Sequence, residues 1–218
     1  LNYNSNNLKW AIAGRDKQKL ISMRDTFLDE SVPIVIADSF DEKSLDEMTK
    51  TTKVVCSTVG PYAQYGSLLV KSCVNNKTHY CDLAGEAQWI RKMIDLHHEE
   101  AKNNEVKIVN SCGFDSIPSD LGVYFIHKNI SSKNLTIKMR VRGAKGTYSG
   151  GTYASMKNII KEASSNREVR KSLTNPYGLN PAGEQSGLDK RDLTSVVYDK
   201  KIKNWISPFL MAGINTKI

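Results

Sequence analysis

The chain has 218 residues, 39% hydrophobic and 25% charged, with 14 Gly and 6 Pro, a composition that excludes collagen-like, low-complexity and intrinsically disordered chains. No stretch approaches the ~18 apolar residues of a membrane-spanning helix, so at most a peripheral membrane contact is expected. The net charge of +8 hides an asymmetry, because residues 128–218 carry 17 basic and 6 acidic side chains against 14 and 17 in residues 1–127. The basic part reads as a solvated face or as a surface for an anionic lipid head group or acyl carrier. Nucleic acid is not expected, since the basic residues are scattered and no binding motif occurs. Cys56, Cys73, Cys81 and Cys112 show no pairing framework and no metal-ligand spacing, so reduced intracellular thiols and no metal site are expected.

In chain order, short β-branched runs alternate with helical patterns. Leu8 to Ala13 reads as a strand ending at Gly14-Arg15, and Lys17 to Asp29 as a helix with Leu20, Met23 and Phe27 on one face. Val32 to Ala37 is a second strand ending at Asp38, Ser44 to Thr49 a short helix, and Lys53 to Thr58 a third strand running into the Gly60-Pro61 turn. A helix over Ser67 to Asn75 follows, then a strand over Thr78 to Asp82 and a long amphipathic helix over Ala87 to Asn103. Val106 to Asn110 is a fifth strand, and a helix begins near Pro118 with Ser116 as its expected cap.

Repeated strand-turn-helix units describe an α/β fold with a doubly wound parallel sheet, whose ligands lie beyond the carboxyl ends of the strands. Past residue 131 the rhythm changes. Leu135 to Arg142 alternates apolar and polar and predicts a strand, Tyr153 to Ala163 a helix, and 172–192 a long loop on the substrate side. The expected division is a dinucleotide-binding domain over 1–130 and the start of a mixed α/β substrate domain over 131–218.

The strand ends hold the candidate site. Arg15 follows Gly14, where a bidentate guanidinium suits a ribose 2′-phosphate, although an arginine after a strand is also commonly solvated. Asp38 sits where a carboxylate meets the adenosine end or caps a turn. Ser57, Val59, Gly60 and Pro61 follow the strand under the nicotinamide half, and Gly60 permits close backbone approach.

Together, Trp10 to Arg15, Val59-Gly60-Pro61-Tyr62 with Gly66, Tyr80 to Glu86, Cys112 to Gly122 and Ser149 to Thr152 resemble the saccharopine dehydrogenase-like oxidoreductases. The resemblance extends to Pro208 to Thr216. The subgroup implied is that of the bacterial trans-acting enoyl reductases and their lipid-droplet relatives. It implies NADP, with NAD less favoured, and reduction of a double bond in a lipid or polyketide-derived substrate.

The alternatives implied are a non-catalytic protein of a lipid-droplet or membrane surface and an amino-acid dehydrogenase, in which Arg140 or Arg142 would hold a carboxylate. A homodimer is a further expectation. The family opens on a strand and a Gly-rich turn that cradles the pyrophosphate. This sequence shows neither, so it reads as a fragment with an incomplete Rossmann sheet, expected to bind cofactor poorly in isolation.

Under that resemblance the Asp82 to Glu86 turn and the Cys112 to Asp115 turn edge the nicotinamide and substrate mouth, with Cys112 and Gly113 on the cofactor side. Hydride transfer needs orientation and a proton donor, for which Tyr62, Tyr80, Asp82 and Asp115 are the polar candidates. Tyr153 and Lys157, four apart on a helix, form either a proton-relay pair or a chance match. His79 reads as a structural histidine or a mouth residue, and His97 and His98 as solvent-exposed. Cys112 is a nucleophile only with an activating base. Trp89 and Trp205 read as packing residues.

Overall fold

The computed structural model describes residues 8–132, 135–143, 145–147 and 149–218. Five parallel strands come first: β1 (Ile12–Gly14), β2 (Ile34–Ile36), β3 (Val54–Ser57), β4 (His79–Asp82) and β5 (Ile108–Val109). The helices between them are α1 (Lys17–Phe27), α2 (Glu42–Thr49), α3 (Tyr62–Tyr65), α4 (Ser67–Asn75) and α5 (Ala87–Asn103). Then come α6 (Ile117–Asn129), α7 (Gly150–Ser165), α8 (Arg167–Thr174), the strands β6 (Val197–Asp199) and β7 (Asn204–Ile206), and α9 (Ala212–Asn215).

Polar residues start the helices by satisfying first-turn amides. Asp16 accepts from Lys19 N at 3.0 Å and Asp41 from Lys43 N at 3.1 Å. Farther on, Ser149 accepts from Thr152 N at 3.2 Å and Asn166 from Glu168 N at 2.9 Å.

β1 pairs with β2, and β4 lies between β3 and β5, all in parallel register. Among the described residues no strand joins β1 to β3. Their link is a layer of helices. Side chains alternate across a strand, and Val55, Tyr80 and Ile108, which are register neighbours, share the face packed under α4 and α5. Val35 of β2 packs into the same core through α2. The opposite face of β3 to β5, with Val54, Cys56 and Val109, is open.

The core between sheet and helices holds Leu45, Met48, Leu69, Val70, Cys73, Tyr80, Trp89, Ile90 and Met93. Each large apolar side chain buried there contributes about 1.5–3 kcal/mol. Trp89 fixes the joint between α3 and α4. Its Nε1 donates to Ser67 Oγ at 3.1 Å, and a Cβ on Gly66 would stand 2.7 Å from its ring, so only glycine fits.

A buried polar network binds α2 to α4 and thereby the β1–β2 pair to the other three strands. Ser72 Oγ and Asn76 Nδ2 both donate to Asp46 Oδ1, at 2.6 and 3.0 Å, and Thr78 Oγ1 donates to Thr49 O at 2.7 Å.

Several expectations need correction. Residues 135–142 form no strand, because alternation assigns faces but a ladder needs a neighbouring backbone, and none of the described residues pairs with this segment. Instead Arg140 reaches Asp199 of β6 in an ion pair. Ser116 does not cap α6. Its backbone is already helical and its Oγ donates to Asn215 Oδ1 at 2.9 Å.

The expected loop over 172–192 begins only after α8, and the β6–β7 hairpin was not read from the sequence. Trp205 is two-thirds exposed and packs edge-on against Tyr198 across that hairpin rather than in a core. His97 is half-buried, with Nδ1 lacking a partner among the described residues.

Candidate functional site

The carboxyl ends of β3, β4 and β5 lie side by side, and their turns are laced together by buried polar groups. The Asp82 carboxylate, fully buried, is the centre of the lacing. Its Oδ1 accepts from Ala84 N at 2.9 Å and Ser111 N at 3.0 Å, and its Oδ2 from Tyr80 Oη at 3.0 Å and Asn110 Nδ2 at 2.7 Å. Burial nonetheless outweighs these donors and raises its pKa above the usual carboxylate value. Ser111 adopts the left-handed region at φ 59°, which is uncommon outside glycine, asparagine and aspartate. Its amide bond to Asp82 and its Oγ bond to Ala84 O at 2.7 Å hold it there.

Tyr62 makes a second brace. Its hydroxyl donates to Ser57 O at 3.0 Å and accepts from Leu83 N at 3.2 Å, tying the β3 turn to the β4 turn. Burial pushes its pKa up to about 12. Tyr80, also buried, is raised by burial and by the Asp82 carboxylate beside it. These three polar candidates are therefore committed to holding the turns in shape, and none presents a free polar atom to a ligand.

Asp115 differs. Its backbone carbonyl accepts from Asn215 Nδ2 at 3.1 Å, and its Oδ2 has no partner among the described residues. A Cβ on Gly113 would stand 2.9 Å from Asp115 Oδ1, so the Cys112-Gly113 turn and this carboxyl are built together. Tyr153 lies on the exposed side of α7, and Lys157 is exposed too.

Arg15 follows β1, exposed, and its guanidinium makes no ion pair among the described residues. A Cβ on Gly14 beside it would lie 3.5 Å from the Leu20 side chain of α1, an ordinary contact. Asp38 is half-engaged: Oδ1 accepts from Phe40 N at 3.0 Å, and its own N–H donates to Ser44 Oγ at 3.0 Å. In the turn after β3, Val59 is exposed and Gly60 half-buried, while Ser57 and Pro61 are buried. The residues fit a dinucleotide: a free guanidinium at one strand end, a partly free carboxylate at the next, and a partly accessible glycine turn after β3.

Sequence reasoning placed Glu86 only as the end of a turn at the mouth and gave no role to Ser155. Glu86, 1% exposed, accepts from Tyr62 N at 2.7 Å and Ala63 N at 3.0 Å, and also from Ser155 Oγ of α7 at 2.9 Å. No local signal marks these contacts, which span 23, 24 and 69 residues.

Three of the thiols are poor nucleophiles. Burial pushes Cys73 and Cys81 up to about 12 and raises Cys112, and all four cysteines are free. His79 is structural, its Nδ1 accepting from Lys107 N at 3.1 Å. Among the described residues no group of side chains could hold a metal ion, and no helix is long and apolar enough to cross a membrane.

Parallel strand-turn-helix units with this arrangement at their carboxyl ends define an α/β dinucleotide-binding protein. Residues 2–109 match the saccharopine dehydrogenase NADP binding domain, so the cofactor of this domain is NADP and the chain belongs to the saccharopine dehydrogenase-like family. A Mycobacterium tuberculosis protein provisionally named a trans-acting enoyl reductase is 38% identical over 229 residues, covering 95% of this chain and 52% of its own length. The trans-acting enoyl reductase of Mycobacterium ulcerans is 33% identical over 232 residues, covering 97% and 54%. The chain thus spans about half the length of the curated relatives it matches. A solved apo saccharopine dehydrogenase (L-Glu forming) of Saccharomyces cerevisiae aligns with a TM-score of 0.47 at 17% identity, over 57% of this chain and 27% of that one.

Proposed function

We propose that the protein is an NADPH-dependent oxidoreductase that reduces a carbon–carbon double bond in a lipid or polyketide-derived substrate. One observation carries the reading. The likeness to the enoyl reductases covers 95% of the chain and so runs well past residue 109, into the part that an NADP-binding domain alone leaves unmatched.

Bound NADPH would supply the hydride. Arg15 would hold the 2′-phosphate through charge-assisted hydrogen bonds, and Asp38 would meet the adenosine end. Ser57, Val59, Gly60 and Pro61 line the path beyond β3, where Gly60 admits the ligand close to backbone. The Asp82 and Tyr62 braces keep the three turns in register, so that little reorganisation accompanies binding. Asp115 Oδ2, buried and without a partner among the described residues, is the polar atom left beside the Cys112-Gly113 turn to hold a proton, and residues 131–218 form the substrate side.

The test is calorimetric titration of NADPH and NADH into the full-length protein and its Arg15→Ala variant. NADPH preferred in the wild type, with that preference reduced roughly tenfold to hundredfold by Arg15→Ala, is the expected outcome. NADPH consumption with an enoyl thioester then tests the reaction. The amino-acid reading loses support because Arg140, one of its two carboxylate-binding arginines, is occupied by Asp199.

A second reading, a non-catalytic protein of a lipid-droplet or anionic membrane surface, is favoured by the basic excess of residues 128–218 and by Leu121, Tyr124 and Phe125 exposed on α6. Flotation with anionic liposomes, together with no binding of either cofactor, would put it first.

A further inference from the structure

Helix α7 docks on the dinucleotide-binding part through one polar face. Ser155, Asn158 and Glu162, spaced i, i+3 and i+7, lie on the same side of a helix. Ser155 Oγ donates to Glu86 Oε1 at 2.9 Å, Gln64 Nε2 donates to Asn158 Oδ1 at 2.9 Å, and Gln88 Nε2 donates to Glu162 Oε2 at 3.1 Å. No residue of α7 is buried, so apolar area contributes little to this contact and hydrogen bonds set its geometry.

One of those bonds, Ser155 to Glu86, leads on to the turn that the proposed function assigns to the cofactor. Glu86 is a buried carboxylate with three donors, two of them the backbone amides of Tyr62 and Ala63, the first residues after Gly60-Pro61. Its third donor is Ser155. A Cβ on Gly60 would lie 3.5 Å from Ser155 Oγ, so the same hydroxyl also borders the space above the glycine. When α7 parts from this position, a buried carboxylate loses a charge-assisted bond and the wall over Gly60 opens.

We infer that Ser155, acting through Glu86, is a positioning residue for the cofactor turn, and that docking of α7 sets NADPH affinity. The substrate-side region thereby communicates with the cofactor through a hydrogen-bonded seam. This inference rests on the reading that Val59 to Pro61 line the cofactor path.

The test uses the full-length protein with Ser155→Ala, Ser155→Thr and Asn158→Ala. NADPH affinity is read from nicotinamide fluorescence and calorimetry, and stability from thermal melting without cofactor. Expected results are an affinity about tenfold weaker in Ser155→Ala, recovery in Ser155→Thr, an intermediate loss in Asn158→Ala, and a cofactor-free midpoint that stays within about 2 °C of wild type.

Wild-type affinity in Ser155→Ala overturns the inference while leaving the function intact. A loss that Ser155→Thr does not restore and that follows the melting temperature also overturns it, since Ser155 is then merely structural. No NADPH binding by the wild type removes the cofactor reading itself, and with it the inference.

Discussion

Residues 8–129 and residues 149–218 are held together by different physics. In the first region apolar side chains between helices and strands carry the stability: Val70, Cys73 and Val74 are wholly buried, and Tyr80, Trp89 and Ile90 nearly so. In the second, neither α7 nor α8 has a buried residue, and Ile214 is the single buried apolar side chain among the described residues there. Hydrogen bonds, the Arg140–Asp199 pair and the partly buried Leu173, Leu179 and Met211 join it to itself and to its neighbour. Apolar burial resists small displacements because packed interiors are dense. A hydrogen-bonded seam, whose groups water can replace, parts at small cost. The rigid region therefore presents the strand-end turns, and the adjustable one packs beside them.

Two substitutions test that contrast. Trp89→Ala removes the ring that fills the joint of α3 and α4 and leaves Ser67 Oγ without its donor, so a loss of about 3–5 kcal/mol is expected in urea unfolding. A loss below about 1 kcal/mol would show that the first region does not depend on its core. Ile214→Ala in α9 is expected to cost about 2 kcal/mol, because this is the most deeply buried apolar side chain that the second region sends into the main core, where Leu173, Leu179 and Met211 are only partly buried. A cost equal to that of Trp89→Ala would erase the difference between the regions.

The smallest effect is a pH dependence. Burial lowers the His97 pKa from its ordinary 6.5. A depressed folded-state value means that the unfolded chain takes up the proton first. The stability from neutral His97 is complete above pH 6.5 and is lost as pH falls from there through the folded-state pKa. His97→Asn is expected to flatten the melting temperature between about pH 7 and pH 5. An unchanged slope would place the buried titration elsewhere.

Much of the fold was legible. The pattern gave α5 over Ala87–Asn103 with its observed bounds, and β2 to β5 fell inside their expected ranges, while β1 begins at Ile12 rather than Leu8 and ends one residue later than expected. Periodicity works there because one face of each element meets the core. It failed at 135–142, where alternation described faces for a strand without a partner, and at 197–206, where a short exposed hairpin carries little apolar pattern.

The site was legible in part. Arg15, Asp38 and the Gly60 turn were expected to follow strands, and they do stand just after β1, β2 and β3. Tyr62, Tyr80 and Asp82 were read as reactive because they are polar and near a mouth. Their hydrogen bonds consume them.

The sequence by itself determined the order of the strands and helices of the first region and the polar and glycine residues that stand at the strand ends, because each follows from residues close along the chain. Only the tertiary structure decided which polar groups are braces and which are free, because a donor's partner is chosen by distance in space. Asp82 meets Ser111 and Glu86 meets Ser155 across 29 and 69 residues. The same burial that raises the pKa of Tyr62 and Asp82 exists only once the helices have closed over the sheet.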